Sequence, residues 1–318
     1  MAAAATAEYP QAEISNDAVR AKLYLPDARN GSYQGTRFDW AGIIYSLEWN
    51  GHQYFGRWYE RHDPKTHDAI TGPVEEFLSA SANGSGPNGA GLGYDAAAPG
   101  GTFIRIGVGT VRKPPGEKQY RRFETYDIVD PGKRTTRIHK DSIEFVQALR
   151  GPDGYAYVYR KTVRLAKGKP QLVLEHVLKN TGSKSIETSV YDHNFFVIDG
   201  EVVGPEVLVQ FAFPPKNLAD FKGLAQFQGN DLIYARDLEK GESVFSELQG
   251  YGDAARDNDF RIENRKSRAG VHITGDRPLT RLIFWSIRTV ACPEPYIHMD
   301  IPPGREFRWR IAYDFYIF

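Results

Sequence analysis

The chain has 318 residues, 41% of them hydrophobic and 25% charged, a balance that excludes a disordered protein. At this length folding buries roughly three-quarters of the unfolded surface, so the core needs no covalent staples. Lys plus Arg equal Asp plus Glu at 40 each, and no overall basic field draws in nucleic acid or anionic lipid.

Met1 to Pro10 lacks the basic start and long apolar stretch of a signal peptide. Residues 1–20 read as an N-terminal tail and 21–318 as one domain, either cytoplasmic or, after loss of a leader, secreted or periplasmic. Ile43 to Trp49 runs into Asn50-Gly51, a hairpin signal. Ser79 to Gly101 is rich in Gly, Ala, Ser and Asn and reads as a long loop. In Thr102 to Arg112, strand alternation puts Ile104, Ile106 and Val108 on one face and Arg105, Gly107 and Gly109 on the other. The pattern Gly107-Val108-Gly109 is no nucleotide loop: Arg112 stands where a third glycine belongs, and no helix follows.

Ser142 to Leu149 and Tyr155 to Leu165 flank Gly151-Pro152-Asp153-Gly154, a second hairpin signal. Gln171 to Lys179 turns at Asn180-Thr181-Gly182 into Ile186 to Ile198, and Leu282 to Val290 is a further β-rich run. From Arg305 to Phe318, Phe307, Trp309, Ile311, Tyr313, Phe315 and Ile317 alternate with more polar residues, the period of a half-buried strand. No segment reads as a long capped helix, and no run of about 18 apolar residues predicts a membrane span. These features predict an antiparallel all-β protein, a large sandwich or several sheets.

Two segments carry candidate chemistry. In Val190 to Gly200, His193 shares a strand face with Tyr191, Phe195 and Val197. By itself it reads as a satisfied core histidine, although an imidazole among aromatics also suits acid/base work. Glu294 stands between Pro293 and Pro295, which remove two amide donors and argue against the middle of a paired strand. By itself it reads as a surface acid. The single cysteine, Cys292, excludes an intrachain disulfide and a cysteine metal cluster. His62, Asp63, His67 and Asp68 straddle Pro64 in loop-like spacing, and no metal is expected there.

Asn180 to Gly200 resembles the strand–turn–strand of the aldose 1-epimerase (galactose mutarotase) superfamily, which ends in a histidine followed by an aromatic pair, here His193, Phe195 and Phe196. Ala291 to Tyr316 resembles that family's C-terminal stretch. Glu294 matches its glutamate, and Pro303-Gly304-Arg305-Glu306 its Pro-Gly turn. Gly35 to Gly56 is similar to the opening strands, so the resemblance spans roughly Ser32 to Phe318. It implies a β-supersandwich and an isomerase that interconverts sugar anomers. In the family the glutamate takes the proton of the anomeric hydroxyl and the histidine protonates the ring oxygen. It also implies a small sugar or sugar derivative as partner and no cofactor, while the balanced charge and the lack of a long apolar run lead to the expectation of no nucleic-acid or membrane partner.

The sequence departs from the family upstream. Asn83 to Gly101 has no histidine where the family grips the sugar, and the family's substrate arginine is missing near Gly72 to Phe77. Arg105, Arg57 and Glu76 are the candidate substitutes for substrate binding, with Glu75 beside the last. Arg121 or Arg122 would serve a phosphorylated sugar. A carbohydrate-binding protein without catalysis is a second reading. A polysaccharide lyase or glycosidase, drawing on Tyr155, Tyr157 or Tyr159, is a third.

Overall fold

The computed structural model describes residues 9–82 and 89–318. Four antiparallel sheets of ten, six, four and three strands account for the architecture, and the described residues contain no α-helix. This is the antiparallel β-sandwich that the alternation predicts.

The strand Glu306–Ile317 lies inside the ten-stranded sheet, between Gln171–Asn180 and Ala269–Gly275. Trp309, Ile311, Tyr313 and Phe315 are buried, and the polar alternates Arg308 and Arg310 are exposed. The expected hairpins form. Ile43–Trp49 pairs with His52–Phe55 across Asn50 and Gly51, whose φ of 50° and 82° are those of a type I′ turn. Ser142–Arg150 pairs with Ala156–Leu165.

Several expectations need correction. Gln11–Ser15 is a strand paired with Val19–Tyr24, so the part of the expected tail that is described belongs to the four-stranded sheet. Residues 1–8 of that tail lie outside the described residues. Thr102 to Arg112 is not one strand: Thr102–Arg105 folds back on Gly109–Arg112 through Gly107 at φ 83°. The glycine replaces strand continuation with a tight turn, which a Cβ would obstruct by meeting Asp39 at 2.7 Å. Gln171–Asn180 and Ile186–Phe195 do not pair with each other. The first belongs to the ten-stranded sheet and the second to the six-stranded one, so the turn between them carries the chain across the sandwich. In the expected loop from Ser79 to Gly101, residues 83–88 lie outside the described residues. The flanks form bridges between Ser79 and Ala90 and between Leu92 and Ile104.

The six-stranded sheet sets the site. Ile186–Phe195 lies between Gly72–Leu78 and Val290–Ile301, and the latter pairs onward with Arg281–Ile287. On Ile186–Phe195, Asn194 points into the sandwich, where its Oδ1 accepts from Tyr313 of the ten-stranded sheet at 2.9 Å. By alternation Tyr191, His193 and Phe195 point the other way.

Candidate functional site

Glu294 is not in a loop. It sits inside Val290–Ile301, opposite Ile283, and only 5% of it is exposed. The prolines are tolerated because the ladder to Ile186–Phe195 ends at Tyr191–Tyr296 and resumes only as a bridge between Phe196 and Ala291. Pro293 and Pro295 fall in that gap, where their missing amide donors cost no ladder bond.

This placement brings Glu294 to His193. Glu294 Oε1 lies 3.3 Å from His193 Nε2, and the other ring nitrogen, Nδ1, is 2.8 Å from Cys292 Sγ. The imidazole stacks on Phe195 with centroids 3.9 Å apart and meets the edges of Phe38 and Trp285. Burial, reinforced by Arg37 and Arg122, holds its pKa well below the ordinary imidazole value. Burial pushes the Cys292 thiol far up, so it stays protonated. The thiol and Nδ1 share one hydrogen bond, and Nε2 is the ring nitrogen nearest Glu294. Burial raises Glu294 to about 7, against the opposing pull of Arg122 and Arg37. Near neutral pH this is therefore a neutral imidazole beside a carboxyl close to its midpoint, not a charged ion pair.

The pair opens onto a cavity of about 370 Å³. Its aromatic wall is Trp58, Trp285 and Phe195, with Trp58 stacked on Phe195 at 5.0 Å. Phe123 and Phe245 stand exposed at its lining, and His67 and Asp68 complete that side. Arg37 and Arg122 line the cavity beside Phe123, their guanidiniums 5.1 and 5.7 Å from the centre of that ring. Both bind Glu76, at 2.8 Å from Arg37 Nε and 2.7 Å from Arg122 Nη2. Both also donate to the Tyr191 hydroxyl, at 3.0 and 2.7 Å, and that hydroxyl donates to Glu76 Oε2 at 2.6 Å. Burial alone would raise Glu76, but Arg122 and Arg37 outweigh it and hold the carboxyl well below the usual range. Arg281 lines the cavity next to Glu294's strand and pairs with Glu247 at 2.7 Å.

The expected substrate residues take other places. Arg105 is 1% exposed and spends its guanidinium on the carbonyls of Thr36, Arg37 and Phe77, with Glu76 at 3.4 Å. It fixes the loop that carries Arg37 and does not reach the cavity. Arg57 is exposed, bonds the carbonyls of Tyr59 and Glu60, and does not line the cavity. Glu76 is fully buried, so it anchors the two arginines rather than meeting a ligand. Of the adjacent arginines, Arg122 lines the cavity while Arg121 is exposed and pairs with Glu117 and Glu124.

Tyr157 and Tyr159 lie inside the sandwich, bonded to Gln147 and His176, away from the pair. His62 bonds Tyr9 and the Ser32 carbonyl while His67 faces the cavity, so that histidine cluster does not converge. Sequence reasoning missed Arg37, Trp58 and Trp285. Only Trp285 had a signal, the period-two face Arg281, Ile283, Trp285 next to Glu294's strand.

No protein-family model matches the sequence, and no curated protein matches it either. Solved structures share the fold. A protein from Synechocystis sp. PCC 6803 is 12% identical, with 100% of each chain covered and a TM-score of 0.58. A GalM/aldose epimerase homologue from C. elegans is 13% identical, covering 98% of this chain and 99% of its own, with a TM-score of 0.57. A galactose mutarotase-like protein from Lactobacillus casei ATCC 334 is 12% identical, covering 96% and 100%, with a TM-score of 0.55. The chain therefore has the galactose mutarotase-like fold, in a sequence that has diverged far from these neighbours.

Proposed function

We propose that the chain is a sugar isomerase of the aldose 1-epimerase type, with His193 and Glu294 as its acid/base pair. The observation that carries this reading is the 3.3 Å approach of Glu294 Oε1 and His193 Nε2 at the wall of an aromatic cavity. The two reacting oxygens of a cyclic aldose, the ring oxygen and the anomeric hydroxyl, are bonded to one carbon. Two proton-handling atoms this close can serve both at once.

Glu294, titrating near 7, takes the proton of the anomeric hydroxyl as the bond between C1 and the ring oxygen breaks. His193 gives its Nε2 proton to the ring oxygen from the imidazolium form, the minor state at neutral pH, and is left as the neutral imidazole that burial favours. The open-chain aldehyde rotates about C1–C2, and the same transfers in reverse close the ring on the other face. Trp58 and Trp285 offer flat apolar faces to the C–H faces of a sugar.

Charge favours a sugar that carries an acidic group. Three guanidiniums, Arg37, Arg105 and Arg122, converge on the single carboxylate Glu76. A carboxylate or phosphate on the ligand would offset the surplus at the arginine wall.

Polarimetry and proton-exchange NMR on neutral aldoses, uronic acids and sugar phosphates test the reading. Anomer interconversion faster than the spontaneous rate is expected, with the acidic sugars ahead. A panel that stays at the spontaneous rate throughout removes the catalytic reading. If calorimetry then still detects sugar binding, the chain is a carbohydrate-binding protein, the alternative that the missing upstream histidine favours.

A further inference from the structure

Behind the cavity, inside the sandwich, lies a second cluster that sugar chemistry does not use. Glu75 comes from Gly72–Leu78, Asp192 from Ile186–Phe195 and His176 from Gln171–Asn180. One donor atom of each lies within 4.8 Å of the other two, and Glu75 Oε1 is 3.4 Å from His176 Nε2. The three residues are at most 2% exposed. Glu75 Oε1, His176 Nε2 and Asp192 Oδ1 have no hydrogen-bond partner. A buried polar atom without a partner is costly, and three from different strands in one place call for a shared occupant.

Two of the remaining atoms of the cluster are already engaged. Lys161 Nζ donates to Glu75 Oε2 at 2.6 Å, and His176 Nδ1 bonds the Tyr159 hydroxyl at 3.0 Å. The His176 ring lies flat on Trp309, with centroids 4.5 Å apart. This is the outer support a metal-binding imidazole ordinarily has: its second nitrogen is fixed and its free nitrogen aimed. Metal–ligand bonds of about 2.0–2.2 Å place neighbouring donors roughly 3–3.6 Å apart. Glu75 and His176 already stand at that spacing. A small crevice of about 10 Å³, the size of one water, touches Asp192 and Trp309 and leads towards Asp276 and Arg310.

We propose that Glu75, His176 and Asp192 bind one divalent first-row transition-metal ion of the zinc type, which pins the six-stranded sheet to the ten-stranded one. One imidazole and two carboxylates suit such an ion better than calcium or magnesium, which prefer oxygen alone. The three ligands leave a position for water. The competing occupant is a proton shared between the two carboxyl groups.

The test uses the whole chain, stripped with a chelator, dialysed and then loaded with Zn²⁺. One equivalent should survive desalting, and Tm should rise by roughly 5 °C when Zn²⁺ exceeds its Kd about 100-fold. Asp192→Asn and His176→Gln should each lose both effects. Co²⁺ loaded in place of Zn²⁺ reports the donors in the unaltered chain, so the test survives a variant that fails to fold. Visible bands without a sulfur-to-metal band in the near ultraviolet are expected. No retained metal, retention unchanged in both variants, or a sulfur band that moves the ion to Cys292 would overturn the proposal.

Discussion

Replacing Glu294 by Gln separates the demands of the site from those of the fold. Burial raises this carboxyl from 4.5 to about 7, and the side chain is almost wholly shielded from solvent. The folded state thus holds the Glu294 proton more tightly than the unfolded chain does. Its contribution to stability is full below about pH 4.5 and is lost as pH rises to about 7. At 1.36 kcal/mol per unit, a shift of about 2.5 units amounts to about 3 kcal/mol. Gln resembles the protonated carboxyl and does not titrate. The Glu294→Gln chain should match the parent in urea denaturation at pH 4 and exceed it by about 3 kcal/mol at pH 8. Anomer interconversion should fall about 10²–10⁴-fold, the usual contribution of a positioned base. A variant no more stable than the parent at pH 8 would show that the carboxyl is not strained by its surroundings, and the reasoning would fail.

Glu76→Gln should do the opposite. It leaves Arg37, Arg105 and Arg122 buried without their carboxylate and should cost about 3–5 kcal/mol at pH 7 by urea denaturation. Because the Glu76 pKa is depressed in the fold, that stability is present above about pH 4.5 and fades as pH falls. The gap between variant and parent should therefore narrow at pH 3. Arg122→Met should weaken calorimetric binding of acidic sugars by roughly 10–150-fold, the worth of one hydrogen bond to a charged group, while neutral parents change far less. Trp285→Ala should raise the Kd for neutral and acidic sugars alike, by roughly 2–12-fold, as a lost stacking face does. Equal losses for both sugar classes in Arg122→Met would remove the case for an acidic substrate.

Much of the fold was legible because strand alternation is local. Phe307 through Ile317, the Asn50-Gly51 hairpin and the pairing across Gly151 to Gly154 each follow from residues a few positions apart. Gly107 misled because one left-handed turn splits an otherwise regular alternation, and side-chain patterning does not report φ. Asn180 to Gly182 reads as a turn between two strands, yet whether those strands pair or part is decided by what the rest of the chain places beside them.

His193 and Glu294 were chosen by resemblance, since local chemistry made one a core histidine and the other a surface acid. Only the tertiary structure sets them 3.3 Å apart and buries Glu294 enough to raise its pKa to about 7. The arginines show the same division. Arg37, Arg57, Arg105 and Arg122 are equivalent letters in the sequence. Long-range contacts bury Arg105 in carbonyls, leave Arg57 in solvent, and hold Arg37 and Arg122 on Glu76 at the cavity wall. Sequence by itself determined which segments are strands and which faces are apolar, because those depend on neighbours along the chain. Tertiary structure decided which charges meet and which are desolvated, because charge energetics depend on distance through space and on the solvent that packing removes.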